Sequence, residues 1–302
     1  MEIHSLQKFA LPGQLEIVSG AGGLPFIRIS NAAASAEICL LGAHVTSYIP
    51  NGQKDLLWMS RNAEYIEGKS LRGGVPICWP WFGAPPAGAD TSHGYVRFIF
   101  WELTATRALS PDCTEAVFSM FPSPAAPKAW QESFVLTYTV RVGASLELEL
   151  CTSNTGSTAF QISQAFHTYY NISDIEKIQI NGFSGLPYHD TVVGSPEPHK
   201  VQQGPITFAA ETDAVFEQNT GTAEILDPGF QRIIRISKQN SSSAVVWNPW
   251  INKAKKLNMA DEEYRTMVCV ENCNIRSDAQ IIQPGKSFTL KAKITAVPKS
   301  FA

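Results

Sequence analysis

Six side chains in this sequence are of types and in settings that could carry polar chemistry: Arg72, His93, Arg97, His167, Asp213 and Glu271. Arg72 opens the run L-R-G-G-V-P-I-C-W-P-W-F-G at residues 71–83. Its guanidinium is a planar fork of donors that matches a carboxylate or a phosphate. The glycines behind it permit positive φ or a close backbone approach. Trp79, Trp81 and Phe82 supply flat apolar faces that suit the C–H faces of a sugar ring. The same run would serve equally well as a rigid aromatic corner of a core. At residues 93–97, H-G-Y-V-R puts His93, Tyr95 and Arg97 on one side of an extended chain. That side is either the wall of a polar-ligand site or a solvated strand edge.

His167 lies in Q-A-F-H-T-Y-Y-N, where alternation sets Ala165, His167 and Tyr169 on one face and Phe166, Thr168 and Tyr170 on the other. A strand histidine on its own is most often structural and gains chemical meaning only with a partner. Glu271 is the candidate partner. In M-V-C-V-E, four apolar residues lead into one carboxylate, a setting that desolvates it and raises its proton affinity. A general base acting near neutrality needs that property; a water-facing glutamate at a strand end is the alternative. Asp213, in E-T-D-A-V-F, offers acceptors for ligand hydroxyls, and V-V-W-N-P-W at 245–250 is a further polar-plus-aromatic cluster. Cys269 and Cys273 flank Glu271, but no other Cys or His stands near them in sequence, so no metal site is expected. The stretch from Lys253, Lys255 and Lys256 to Asp261, Glu262 and Glu263 reads as an exposed loop. The sequence contains no P-loop, no G-x-S-x-G and no H-E-x-x-H, and G-A-G-G at 20–23 lacks dinucleotide-site spacing, so no cofactor is expected.

Strands must position these residues. Short runs rich in Val, Ile, Thr and aromatics recur along the chain, and S-L-E-L-E-L at 145–150 alternates strictly. Helical periodicity is confined to 125–130 and 252–258. The expected fold is all-β, one domain over residues 1–302 with two large antiparallel sheets packed face to face; a barrel or jelly roll fits the same pattern. Charge narrows the partners. With 24 Lys+Arg against 27 Asp+Glu, the formal charge is -3, which disfavours nucleic-acid binding through phosphate neutralisation. No run of about 18 apolar residues would span a membrane. The N-terminus lacks a signal-peptide core, so a cytoplasmic location with six reduced cysteines is expected. Nothing reads as a dedicated interface, which points to a monomer.

Taken in order, the motifs resemble the aldose 1-epimerase (galactose mutarotase-like) superfamily, and within it the glucose-6-phosphate 1-epimerase branch. The likeness runs over nearly the whole chain. It starts at L-L-G-A-H-V-T-S-Y and L-L-W-M-S, and its most specific element is R-G-G-x-P followed by H-G-x-x-R. The resemblance implies a large β-sandwich of the galactose mutarotase type with a sugar cleft on one sheet. It implies His167 as general acid, Glu271 as general base, Arg72 and Arg97 on a 6-phosphate, and His93 and Asp213 lining the sugar site. The implied reaction exchanges α and β anomers of a hexose 6-phosphate, with Glu271 ionised and His167 protonated at the outset. An aldose 1-epimerase of unphosphorylated sugars and a non-catalytic carbohydrate-binding protein are the alternatives. A glycoside hydrolase would need a second catalytic carboxylate, with Asp213 as the one candidate. Two positions depart from the family pattern, Ala214 where Arg commonly follows the aspartate and Phe98 where Asn commonly follows H-G-x-x-R; both are expected beside the pocket.

Overall fold

The computed structural model describes residues 3–124, 126–195 and 198–301. Two eight-stranded antiparallel sheets dominate. The back sheet runs, in spatial order, Gln179–Asn181, Ala223–Asp227, Arg232–Gln239, Ser287–Pro298, Leu146–Asn154, Phe134–Val142, Cys113–Met120 and Glu102–Ser110. Its central strands obey period-two patterning: Leu146, Leu148 and Leu150 are buried, while Glu147 and Glu149 face outward and pair with Lys293, Lys291 and Arg141. The site sheet runs His199–Val201, Pro187–Asp190, Thr212–Phe216, Ser243–Asn248, Met267–Asn274, Gln164–Phe166 and Ile77–Cys78, with Tyr169–Asn171 also on Met267–Asn274. Every residue of Ser243–Asn248 and Met267–Asn274 is buried, since one face meets the back sheet and the other lies under a cleft.

Phe166 meets Tyr138 across the sheets at a centroid distance of 5.9 Å. Trp79 packs on Phe134 at 4.5 Å and donates its Nε1 proton to Thr152 Oγ1 at 3.0 Å. A four-stranded meander over Leu15–Ser19, Pro25–Ser30, Ala34–Cys39 and His44–Pro50 closes one end, tied to the back sheet by Tyr48 Oη on the Gly143 carbonyl at 2.9 Å.

Three expectations are corrected. Residues 160–170 are not one strand. Phe160–Ile162 pairs with Gln280–Ile282 in a small separate sheet, and the chain then crosses to the site sheet as two short strands with His167 and Thr168 between them. The segment 93–97 is not extended. His93 has φ 61°, Gly94 has φ 75°, and Val96–Phe98 is a 3-10 turn. The chain passes so close to Trp79 that a Cβ on Gly94 would lie 1.9 Å from its carbonyl oxygen. Tyr95 consequently packs into the core on Trp79 and Trp81 instead of joining His93 and Arg97. Finally, residues 126–130 form turns, with Ala125 outside the described residues, and the later helix is Trp250–Ala254. No helix among the described residues is long and apolar enough to cross a membrane.

Candidate active site

A cleft of about 1140 Å³ opens on the site sheet, and Arg72, His93, Arg97, His167, Asp213 and Glu271 all line it. Sheet register places its centre. Phe166 pairs with Asn272 and Tyr169 with Cys269, so continuation of that register sets His167 across from Glu271. His167 Nδ1 lies 3.4 Å from Glu271 Oε1. The imidazole is oriented by Tyr169, stacked on it at 4.9 Å and 6° between planes, with Trp247 edge-on at 6.0 Å and His93 at 5.6 Å. Its backbone amide is held by the Pro76 carbonyl.

Arg72 reaches the cleft because the chain behind it threads a gap that only glycine fits. Gly73 has φ 118°, and a Cβ there would lie 2.4 Å from the Trp58 carbonyl oxygen; Gly74 has φ 58° with Val45 O at 2.3 Å from the same added atom. The glycines therefore serve a protein-to-protein approach that aims the arginine. Arg72 Nη1 donates to Tyr169 Oη at 3.1 Å. Arg97, on the 3-10 turn, donates from Nη2 to the Ser92 carbonyl at 2.8 Å and lies 5.1 Å over the Phe98 ring. Both arginines are half-buried, and each Nε is shut off from solvent without a hydrogen-bond partner. Neither forms an ion pair among the described residues.

The electrostatics follow from burial. Glu271, 1% exposed, is held well above the usual carboxylate range by desolvation and then by Asp213, with Arg97 opposing. His167 is held well below the usual imidazole range by desolvation, then by His93, Arg97 and Arg72. His93 is pushed down to about 4 by burial and the same two arginines. Burial also raises Asp213, against the pull of Thr191 and Lys253. Burial thus pulls both side chains towards their uncharged forms. These directions run against the ionised Glu271 and protonated His167 that the resemblance implies.

The aldose 1-epimerase family model matches residues 25–295 of the 302. The chain belongs to the aldose 1-epimerase family. It is 32% identical over 249 residues to an Escherichia coli (strain K12) protein named "Putative glucose-6-phosphate 1-epimerase", covering 82% of each chain. A protein of the same name from Cenchrus ciliaris is 31% identical over 296 residues, 95% of this chain and 89% of that one. Among solved structures, a mutarotase described as putative from Salmonella typhimurium aligns with TM-score 0.88 and 30% identity over 96% of this chain and 95% of its own.

Several features of this aldose 1-epimerase family cleft escape a linear reading. Of the aromatic trio at 79–82, Trp79 and Trp81 hold a core corner and Phe82 lines the cleft. The second apolar wall is Trp247, under Lys253 Nζ at 5.9 Å. Lys253 is no free loop lysine: it pairs with Glu211 at 2.9 Å and Asp213 at 3.7 Å, which makes it part of the cleft wall. Glu263 is likewise buried, accepting hydrogen bonds from Ser60 Oγ and the amides of Arg61 and Ala260. Ala214 is corrected as a pocket position. Asp213 and Val215 line the cleft, and the residue between them points to the opposite face. Phe98 does line it. Across the strands, His167, Cys269 and Glu271 bring one ligand atom each within 4.8 Å of one another, a grouping that sequence proximity does not reveal. The positive charges of Arg72 and Arg97, which act on His167, and a Cys269 thiol held well above its usual range by burial oppose a cation there.

Proposed function

We propose that this protein exchanges the α and β anomers of a hexose 6-phosphate, with glucose 6-phosphate as the first substrate to test. The observation that carries the reading is the pair of half-buried arginines, without a carboxylate partner, beside an opposed His167–Glu271 pair. Such cations call for an anionic ligand, because a buried charge left uncompensated is costly. The names of the relatives in Escherichia coli and Cenchrus ciliaris agree with a phosphorylated sugar.

The cleft is polarised. Arg72, through the stacked Tyr169, and His93 stand on the His167 side, Arg97 acts on both members of the pair, and Asp213 acts on Glu271 and is itself paired with Lys253. In a hexose 6-phosphate the phosphate hangs from the carbon next to the ring oxygen. Phosphate on the arginines therefore sets O5 toward His167 and the C1 hydroxyl toward Glu271, with the remaining hydroxyls toward Asp213 and the ring between Phe82 and Trp247. Ionised Glu271 takes the C1 hydroxyl proton, the C1–O5 bond breaks, and O5 takes a proton from the His167 imidazolium. Rotation about C1–C2 turns the aldehyde, and closure returns both protons. These steps use side chains alone. The unit is proposed to be a monomer, and its six free thiols fit the cytoplasmic setting proposed with it.

Magnetisation-exchange NMR on glucose 6-phosphate and glucose tests the substrate. Acceleration confined to the phosphate ester, with Arg72→Ala raising KM for the ester and leaving that for glucose unmoved, is the expected result. Equal acceleration of both sugars would contradict it.

A further inference from the structure

The arginine pair does more in this arrangement than hold a phosphate. Arg72 touches Tyr169 Oη, and Tyr169 is stacked on His167 at 4.9 Å. Arg97 is anchored on the carbonyl of Ser92, and the neighbouring His93 ring lies 5.6 Å from that of His167. Two guanidinium groups and a second imidazole thus act on His167. The other titratable groups around it are Glu271, the Cys269 thiol and the Tyr169 phenol. Of these, Glu271 is the carboxyl group, and burial and Asp213 raise its proton affinity. The cationic groups beside His167 work against the imidazolium that ring opening needs. A dianion on the arginines would offset their charge.

We propose that a phosphate-type dianion in the Arg72–Arg97 site is a switch for the acid–base pair, so that a free dianion, unattached to the sugar, turns on anomer exchange of unphosphorylated hexoses. This rests on the reading of the cleft as an anomer-exchange site. The dianion offsets the two guanidinium charges, and the proton shared by the pair moves from Glu271 to His167. The products of that shift are a carboxylate ready to accept the C1 hydroxyl proton and an imidazolium ready to give one to O5. Each proton returns on ring closure and the dianion is not consumed. Covalent attachment of phosphate adds only the localisation of the dianion, which a free anion replaces at high concentration.

The probe is phosphite, which fits a phosphoryl site without carrying a sugar. Two readouts are taken on the whole chain with ring-labelled histidine: the titration of His167 by NMR, and glucose anomer exchange at fixed buffer, with Glu271→Gln subtracting catalysis by the anion in solution. Phosphite is expected to raise the titration of His167 enough to make its imidazolium about tenfold more abundant. Glucose exchange should rise saturably by about tenfold as well, and Arg72→Gln should abolish both effects. A perturbed His93 signal with an unmoved His167 titration and unchanged glucose exchange would overturn the proposal. Because wild-type protein supplies both readouts, a poorly folded arginine variant does not decide the matter. If glucose 6-phosphate itself proved not to be exchanged, the functional reading would fall, while the His167 titration would still decide whether the dianion controls the pair.

Discussion

Tyr169 joins the two halves of the cleft, and separating its two contacts gives a sharp test. Its hydroxyl accepts from Arg72 Nη1 at 3.1 Å, while its ring lies flat on His167 and is backed by Trp58 at 5.8 Å. Tyr169→Phe removes the first contact and keeps the second. A hydrogen bond to a charged group contributes roughly 1.5–3 kcal/mol. Arg72 faces the cleft and can recruit water, so the lower figure applies, equivalent to about a tenfold rise in KM for a hexose 6-phosphate. With the stack intact, kcat should stay within about threefold of wild type. Tyr169→Leu also removes the aromatic pairing, worth roughly 0.5–1.5 kcal/mol, and frees the imidazole to tilt; here kcat should fall further as well. Exchange rates measured by NMR over a range of substrate concentrations separate the two parameters. If Tyr169→Phe lowered kcat with KM unchanged, or raised KM equally for glucose, the claim that Tyr169 aims Arg72 would be refuted.

Two predictions concern pH and stability. Glu271 has a folded-state proton affinity above its unfolded value, so its contribution to stability is full below the unfolded value of about 4.3 and is lost as pH rises through the folded one. Glu271→Gln should therefore melt higher than wild type at pH 8, with the gap closing towards pH 4; a wild type equally stable at pH 8 would contradict this. His93 and the buried His44 are both held down at about 4 from the ordinary 6.5, so the stability they contribute is present above 6.5 and is lost as pH falls towards 4. His93→Asn should make the slope of unfolding free energy against pH shallower across that window by up to about 1.4 kcal/mol per pH unit, and an unchanged slope in urea titrations would count against the assignment.

The sheet pattern was legible wherever alternation was strict. The residues 134–142 form one strand as read, and L-E-L-E-L buries its leucines. It failed where hydrogen-bond partners change along the chain. Residues 160–170 look uniformly β, yet the segment serves two sheets, and no local signal marks the crossing. The H-G-Y-V-R segment misled for a related reason: Gly94 permits a turn whose necessity comes from Trp79, fifteen positions away. The cleft residues were legible as a set through the resemblance, since all six line one cavity. What sequence alone withheld was cross-strand: the facing of His167 and Glu271, the link from Arg72 through Tyr169, and the pairing of Lys253 with Asp213. Strand alternation could have placed Ala214 away from the cleft, because its neighbour Asp213 faces in.

The central claim is that His167 and Glu271 together move the two protons of ring opening. The most direct test is anomer exchange of glucose 6-phosphate at neutral pH by wild type, Glu271→Gln and His167→Asn, each verified as folded by its melting profile. Rapid exchange by wild type, with kcat lowered in both variants by at least about a hundredfold and substrate binding largely retained, is the predicted result. Near-wild-type turnover in either variant would contradict the account.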